Sequence, residues 1–266
     1  MVRPAVDAQG DAWPTVGMTS LALSVAAAAS APAPAASTPC PLPVIEQVEV
    51  GRVDDTGFLV LADGRRVTLA SVLLPRADEP NAAEARGGLS TAVAGKTIGL
   101  AFDDRTTDRH GALVAHIYVA GSWLQQSLIA DGLARVRTFA DTAKCAAPLL
   151  TTEKAARDAK RGFWASPDYR IRNAGELDPE IGTFQIVEGK VASVAASKGR
   201  VFANFGADYR TDFTITISPR DGKRLAKDGV DPATWTGKQI RVRGWLSRLN
   251  GPEIELTHAA QIQIIE

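Results

Sequence analysis

From Val44 onward, apolar and polar residues alternate with the two-residue period that puts one face of a β-strand against a core and the other in water. VIEQVEVGRV (44–53) is the first such run. FLVLADGRRVTLASVLL (58–74) reads as two strands joined at the turn signal Asp63-Gly64, the second ending in a solid apolar run against Pro75 and Arg76. TIGLAFDD (97–104) and ALVAHIYV (112–119) complete a set of five strands. Between the third and fourth strands the pattern predicts a helix over Asn81 to Ala94, introduced by Pro80. Two further helices follow the fifth strand. One runs from Ser122 to Leu133, with Leu124, Leu128 and Ile129 on one face, and the other from Pro148 to Phe163, rich in Ala, Lys and Arg. Gly162-Phe163-Trp164 ends the unit. Five strands with three helices predict a mainly β fold, a small barrel with helices on one side.

A polar stretch, Ala165 to Glu180, leads to a second run of strands. FQIVEGKVASVAASKGRVFANFG (184–206) gives two around the turn at Ala195 to Gly199, and TDFTITISP (211–219) gives another. A short helical connector, DGKRLAKDGVDPATW, precedes KQIRVRGWLSRLNGPEIELTHAAQIQII, where Asn250-Gly251 is a hairpin signal. Five or six strands with one inserted helix predict a second small β-barrel, with no sequence repeat between the halves. The chain therefore divides into 1–43, 44–166, a linker 167–180, and 181–266.

Residues 1–43 read as targeting rather than fold. Leu21 to Ala29 is a short apolar run followed by small residues and prolines through Pro43, which suits a secretory signal, although only Arg3 is positive before it and Asp7 and Asp11 oppose it. The run falls short of the about 20 apolar residues of a membrane span. A signal peptide places the mature chain in the periplasm or outside the cell; a disordered Ala/Pro leader in a cytosolic protein is the alternative. Cys40 and Cys145 bear on this choice, because in an exported chain they would pair and close a loop of roughly 105 residues, worth about 4–5 kcal/mol by chain entropy. Two unpaired small hydrophobes are the other reading. No histidine lies near either cysteine in sequence, which argues against a metal site there.

Net charge supplies no overall field toward nucleic acid or an anionic membrane. Lys+Arg and Asp+Glu both total 30, and residues 44–166 hold 15 of each sign, so neither the chain nor its first half carries the excess of a strong phosphate-backbone binder.

LADGRRVTLASV, RTTDRHGALVAHIYV, SLIADGLARV and AARDAKRGFW, in this order, resemble the staphylococcal-nuclease (thermonuclease-like) family from Val44 to Trp164. The resemblance implies an OB-fold barrel with helices. In active members it also implies calcium-dependent hydrolysis of DNA and RNA phosphodiesters by two metal-binding aspartates, a glutamate base and two arginines. Those members carry an arginine at the second position of the strand matching Val67–Val72, then Asp-(Thr/Ala)-Pro-Glu. Here the positions are Thr68, Leu73, Leu74, Pro75 and Arg76. The second arginine belongs to Tyr-Gly-Arg, which here is His110-Gly111-Ala112, and the remaining aspartate position falls on Gly57.

Each substitution removes a function. Leu73 offers no oxygen to a hard cation, Arg76 accepts no proton near neutral pH, and Thr68 and Ala112 bring no positive charge to a phosphoryl transition state. Losing one such group typically costs about a hundredfold or more. Three features would rescue an enzyme: Asp55 in a gapped register, Asp78 or Glu79 just past the lost base, and His110. Each has a blander reading, as turn or surface charge. Asp108, Gly111 and Gly132 match family positions that keep the fold rather than the chemistry.

The second barrel, read as OB-like, would bind a strand through aromatic platforms and basic residues: Phe202, Phe205, Tyr209, Arg210, Trp245 and Arg248, with Arg241 and Arg243 alternating on one strand face. Glu253 and Glu255 count against it. The sequence thus favours a catalytically degenerate nuclease-like protein that needs no cofactor and serves as a binding or assembly module, for single-stranded nucleic acid or a protein partner. The alternatives are a calcium-dependent nuclease using Asp55 and Glu79, and an envelope structural protein.

Overall fold

The alternating run at the start of the first half becomes one bent strand shared by two sides of a barrel. In the computed structural model, which describes Cys40 and residues 42–265, this is β1 (Glu46–Val53). It is followed by β2 (Leu59–Leu61), β3 (Arg66–Leu69), β4 (Val72–Leu73), α1 (Ala82–Val93), β5 (Thr97–Ala101) and β6 (Leu113–Val119). Glu46 to Glu49 pair with β5, whereas Val50 to Val53 pair with β2 across a register shift between Val50 and Arg52. A bulge there turns the strand enough to serve both partners. The order β3-β2-β1-β5-β6 is closed by parallel pairing of β3 with β6, Thr68 opposite Val114. This is the expected five-stranded barrel. Val50, Leu59, Leu61, Val67, Ile98, Leu100 and Ile117 fill it.

Helix ends differ from the periodicity for local reasons. α1 starts one residue late because Asn81 stands at φ 62° in the left-handed region. β7 (Ser122–Trp123) pairs with β6 before α2 (Leu124–Ala130) begins, so the second helix loses its predicted first turn. After β8 (Arg135–Val136), α3 (Ala146–Asp158) starts two residues ahead of Pro148, which a first turn tolerates. It stops well short of Phe163. There Gly162, at φ 52°, lies against Gly132, at φ 68°, and Phe163 N donates to Gly132 O at 3.0 Å. A Cβ on Gly132 would stand 2.0 Å from the Arg161 carbonyl oxygen.

The polar connection is built into the fold. β9 (Arg172–Asn173) pairs in parallel with β10 (Phe184–Lys190), and Tyr169 and Leu177 are buried. β11 (Ser193–Ser197), β12 (Arg200–Asn204), β13 (Thr214–Ile217), α4 (Pro219–Lys227), β14 (Gln239–Trp245), β15 (Ser247–Leu249), β16 (Gly251–Glu255) and β17 (Ile262–Ile265) follow. They form two sheets, β17-β14-β10-β9 and β11-β12-β13-β16-β15, across a core of Val187, Ile215, Ile217, Trp235, Val242 and Ile254. No strand pairing among the described residues joins the two sheets into a ring, so the second OB-like barrel is not confirmed.

Cys40 and Cys145 are joined as a disulfide, tying the segment before β1 to the start of α3. That bond is compatible with a secreted protein. Among the described residues no helix is long and apolar enough to cross a membrane. The expected leader, its Leu21 to Ala29 core included, lies outside the described residues.

Candidate functional site

The loops above β3 enclose a cleft of about 950 Å³. Its floor is apolar, from Leu69, Val72, Leu73 and Val114, and its rim is basic, with Arg76, Arg86, Arg105, Arg109 and Arg137 facing only Asp55 and Asp108.

One wall is the turn between β1 and β2, organised by Asp54. Its carboxylate accepts from Thr56 N at 3.0 Å, Thr56 Oγ1 at 2.7 Å, Phe58 N at 3.0 Å and Arg66 Nη2 at 2.7 Å. Burial pushes this carboxyl up, but the bonds from Thr56, Arg66 and Phe58 outweigh it and hold it at about 2. Asp54 is thereby committed to the turn. Asp55 and Gly57 both line the cleft, and Arg86 Nη1 donates to the Asp55 backbone carbonyl at 3.3 Å.

The opposite wall holds a stack. The Arg105 and Arg137 guanidinium carbons lie 4.7 and 4.6 Å from the ring centre of exposed Phe139. Asp141 neutralises Arg105 at 2.9 Å. Arg137 has no such partner among the described residues; burial first, then the charge of Arg105, push its guanidinium pKa down. The backbone amide of Arg137 donates to Ser71 O, and the Ser71 hydroxyl donates to Thr142 O, which fixes the stack to the end of β3.

Residues 66–166 match the family model described as staphylococcal nuclease homologue. The chain carries a staphylococcal-nuclease-like domain. The match starts at β3, so β1 and β2, which complete the barrel, and everything after Ser166 lie outside it. No curated protein matches the chain.

Within the nuclease-like domain the positions singled out by resemblance separate. Thr68, Leu73, Leu74, Arg76 and Gly57 line the cleft, whereas Ala112 is buried outside it. Leu73 pairs with Arg135 in a ribbon of β4 and β8. Arg76 is engaged by Asp78 at 3.5 Å and Glu79 at 3.4 Å and lies 5.7 Å from the Trp245 ring centre. Glu79 does not reach the cleft; it accepts from Arg76 N at 3.0 Å and pairs with Arg135 at 3.4 Å. It is therefore not brought together with Asp55. His110 lines the cleft and accepts from Arg109 Nε at 2.9 Å. Asp108 accepts from His110 N at 2.8 Å and Ala112 N at 2.9 Å, a fold-keeping role.

The candidates of the second half are dispersed. Arg243 is 4% exposed and lies against Glu153, which is 0% exposed: Nη1 donates to Oε1 at 3.1 Å, and Nη2 is 2.8 Å from Oε2 as a charge contact rather than an aligned hydrogen bond. Arg241 pairs with Glu188 and Arg248 with Asp178. Phe202 is half-buried opposite Thr216; Phe205 packs on Phe213 at 4.9 Å between ring centres. Tyr209, with Arg210 over its ring, and Trp245 are exposed. No single face gathers them.

Sequence reading missed Arg86, Arg105, Arg109, Arg137 and Phe139. The available signals were Arg105 and Arg109 bracketing a strand connection, and Arg137-Thr138-Phe139 alternating past β8.

Proposed function

We propose that the nuclease-like domain no longer cleaves phosphodiesters and uses its cleft to hold an anionic strand, single-stranded nucleic acid above all. The observation that carries this reading is the rim. Five arginines surround a site whose family counterpart holds calcium between aspartates, and two of them lie against the Phe139 ring. Such a rim repels a divalent cation and attracts phosphate, while an exposed aromatic offers a base a stacking surface. Glu79, the glutamate nearest the position the resemblance gives to the base, is engaged by Arg76 and Arg135. Leader and disulfide together support a periplasmic or secreted location, where captured strands would come from outside the cytoplasm.

The test is a labelled single-stranded oligonucleotide incubated with the full chain and calcium, followed for binding and for cleavage. Binding that weakens with salt, without cleavage, is expected. Calcium-dependent cleavage that disappears in Asp55→Ala would establish the rival nuclease reading. Failure to bind the oligonucleotide would direct attention to a protein partner.

A further inference from the structure

The core beside β6 holds chemistry that the cleft does not use. Cys145 stands at the N-cap of α3, Cys40 precedes β1, and His116 sits in β6. A ring nitrogen of His116 and both Sγ atoms lie within 4.8 Å of one another. His116 is 0% exposed, and neither of its ring nitrogens has a hydrogen-bond partner among the described residues. Buried polar side chains are nearly always satisfied, so a buried imidazole presented to two sulphurs without a partner is an uncommitted donor. Trp123 packs edge-on against the ring at 5.5 Å and holds its orientation. Sequence distance hid the group, because 76 and 29 positions separate His116 from Cys40 and Cys145.

We propose that Cys40, Cys145 and His116 form a soft-metal site that alternates with the disulfide, taking one Zn²⁺ when the two sulphurs are reduced. The dimensions fit. Zinc takes thiolate sulphur at about 2.3 Å and imidazole nitrogen at about 2.0 Å, which sets the sulphurs of a tetrahedral site about 3.8 Å apart. The three donors lie within 4.8 Å of one another and the Cα atoms of the cysteines are 5.3 Å apart, so adjusting the donors to those edges after the S–S bond opens requires side-chain rotation rather than a new backbone path. The chemistry balances: a dithiol reductant delivers two electrons and two protons to the disulfide and becomes a disulfide itself. Zinc then displaces the two thiol protons. The N-terminus of α3 favours the Cys145 thiolate. Three protein ligands leave one position of the tetrahedron for water.

The full chain, reduced with a phosphine, is titrated with Co²⁺ as a spectroscopic stand-in and then with Zn²⁺ as competitor. One ion per chain is expected, with thiolate-to-metal charge-transfer absorption and the visible bands of a tetrahedral site; the oxidised chain should give neither. His116→Ala should bind at least about tenfold more weakly. No binding by the reduced chain, equal binding by the oxidised chain, or unchanged affinity in the variant overturns the proposal. If reduction unfolds the chain, Zn²⁺ must restore its near-ultraviolet circular dichroism, and failure to do so overturns it too. Where His116→Ala does not fold, Cys145→Ser replaces it, and a charge-transfer band of undiminished intensity with unchanged affinity overturns equally.

Discussion

If phosphates of a bound strand sit in the arginine-rimmed cleft, the salt dependence of binding can be worked out from which arginines are already neutralised. Arg76 is paired with Asp78 and Glu79, and Arg105 with Asp141. Arg86 and Arg109 donate only to a backbone carbonyl and a neighbouring imidazole, and Arg137 stacks on Phe139 without a carboxylate. Three cations without a carboxylate partner among the described residues imply a slope of log K against log salt of about −2 for a single strand. Raising salt from about 50 to 200 mM then weakens binding about 20-fold. Arg137→Ala removes one contact, so the slope falls to about −1.4 and the same salt step costs only about 7-fold. Asp141→Ala works in the opposite direction, freeing Arg105 and steepening the slope by about 0.7. Arg137→Lys keeps the slope and lowers affinity at every salt concentration, because an ammonium stacks on Phe139 less well than a guanidinium. Fluorescence anisotropy of a labelled oligonucleotide across a salt series measures all four proteins. Slopes that stay equal in Arg137→Ala and Asp141→Ala would mean that the strand binds elsewhere, whatever its affinity.

The joint between the halves gives two further expectations, and two left-handed glycines of the first half give a third. Arg243→Met leaves the fully buried Glu153 with Arg157 at 3.6 Å as its remaining ion pair among the described residues and should cost about 3–5 kcal/mol in urea unfolding. The double variant with Glu153→Leu should cost clearly less than the two single changes added together; strict additivity would show that the pair is uncoupled. His258, buried between Thr138 Oγ1 at 2.7 Å and Thr257 Oγ1 at 2.9 Å, is held by burial and by Arg224 at a pKa of about 4. Its folded pKa is depressed, so the native state binds fewer protons than the unfolded chain below pH about 6.5. Its stabilisation is complete above that pH and is lost as pH falls through about 4, some 3 kcal/mol in all. His116, which burial also depresses to about 4, contributes in the same window, so His258→Gln should roughly halve the acid slope measured by denaturation from pH 7 to 4. Gly132→Ala should cost more than about 2 kcal/mol, because left-handed strain adds to contact with the Arg161 carbonyl. Gly64→Ala, at φ 87° with open space around its Cβ, should cost only about 1–2 kcal/mol in the same thermal melts.

Period-two alternation was enough to locate all five barrel strands, since each buries one face in a single core and a slip by one residue would invert it. The shared strand β1 was legible as a strand but not as a bent one, because the bulge at Gly51 follows from pairing with β2 and β5, which are distant in sequence. The same limit applies to the second half, where strand count was readable and ring closure was not. In the cleft, the substituted positions could be read because identity alone decides that Leu73 cannot ligate a cation. The arginine rim could not, since it gathers side chains from four separate segments while the local charge count stays balanced. Arg241 and Arg243 do alternate on one face of β14, as read, but Arg243 on that face meets Glu153 of α3, and a linear pattern does not say what a face will meet.

The substituted cleft positions and the packing of the second half involve the same residues. Arg76, where the resemblance places a catalytic base, lies against Trp245 of β14 and fixes Glu79. Glu79 in turn pairs with Arg135, whose Nη1 donates to the Phe184 carbonyl of β10 at 2.9 Å. Leu73, where the resemblance places a metal ligand, pairs with that same Arg135 across the β4–β8 ribbon. A glutamate restored at Arg76 would sit beside Glu79 and Asp78, with the nearby Arg135 committed to Glu79 and Phe184, and would lose the contact with Trp245. A glutamate at position 76 therefore works against the contacts between the halves. Arg76→Glu should lower stability as well as ligand affinity, and it should bring no nuclease activity unless Leu73 and Gly57 are changed to aspartate with it. A single Arg76→Glu variant that unfolds at the wild-type urea midpoint would show that the contact with β14 is incidental.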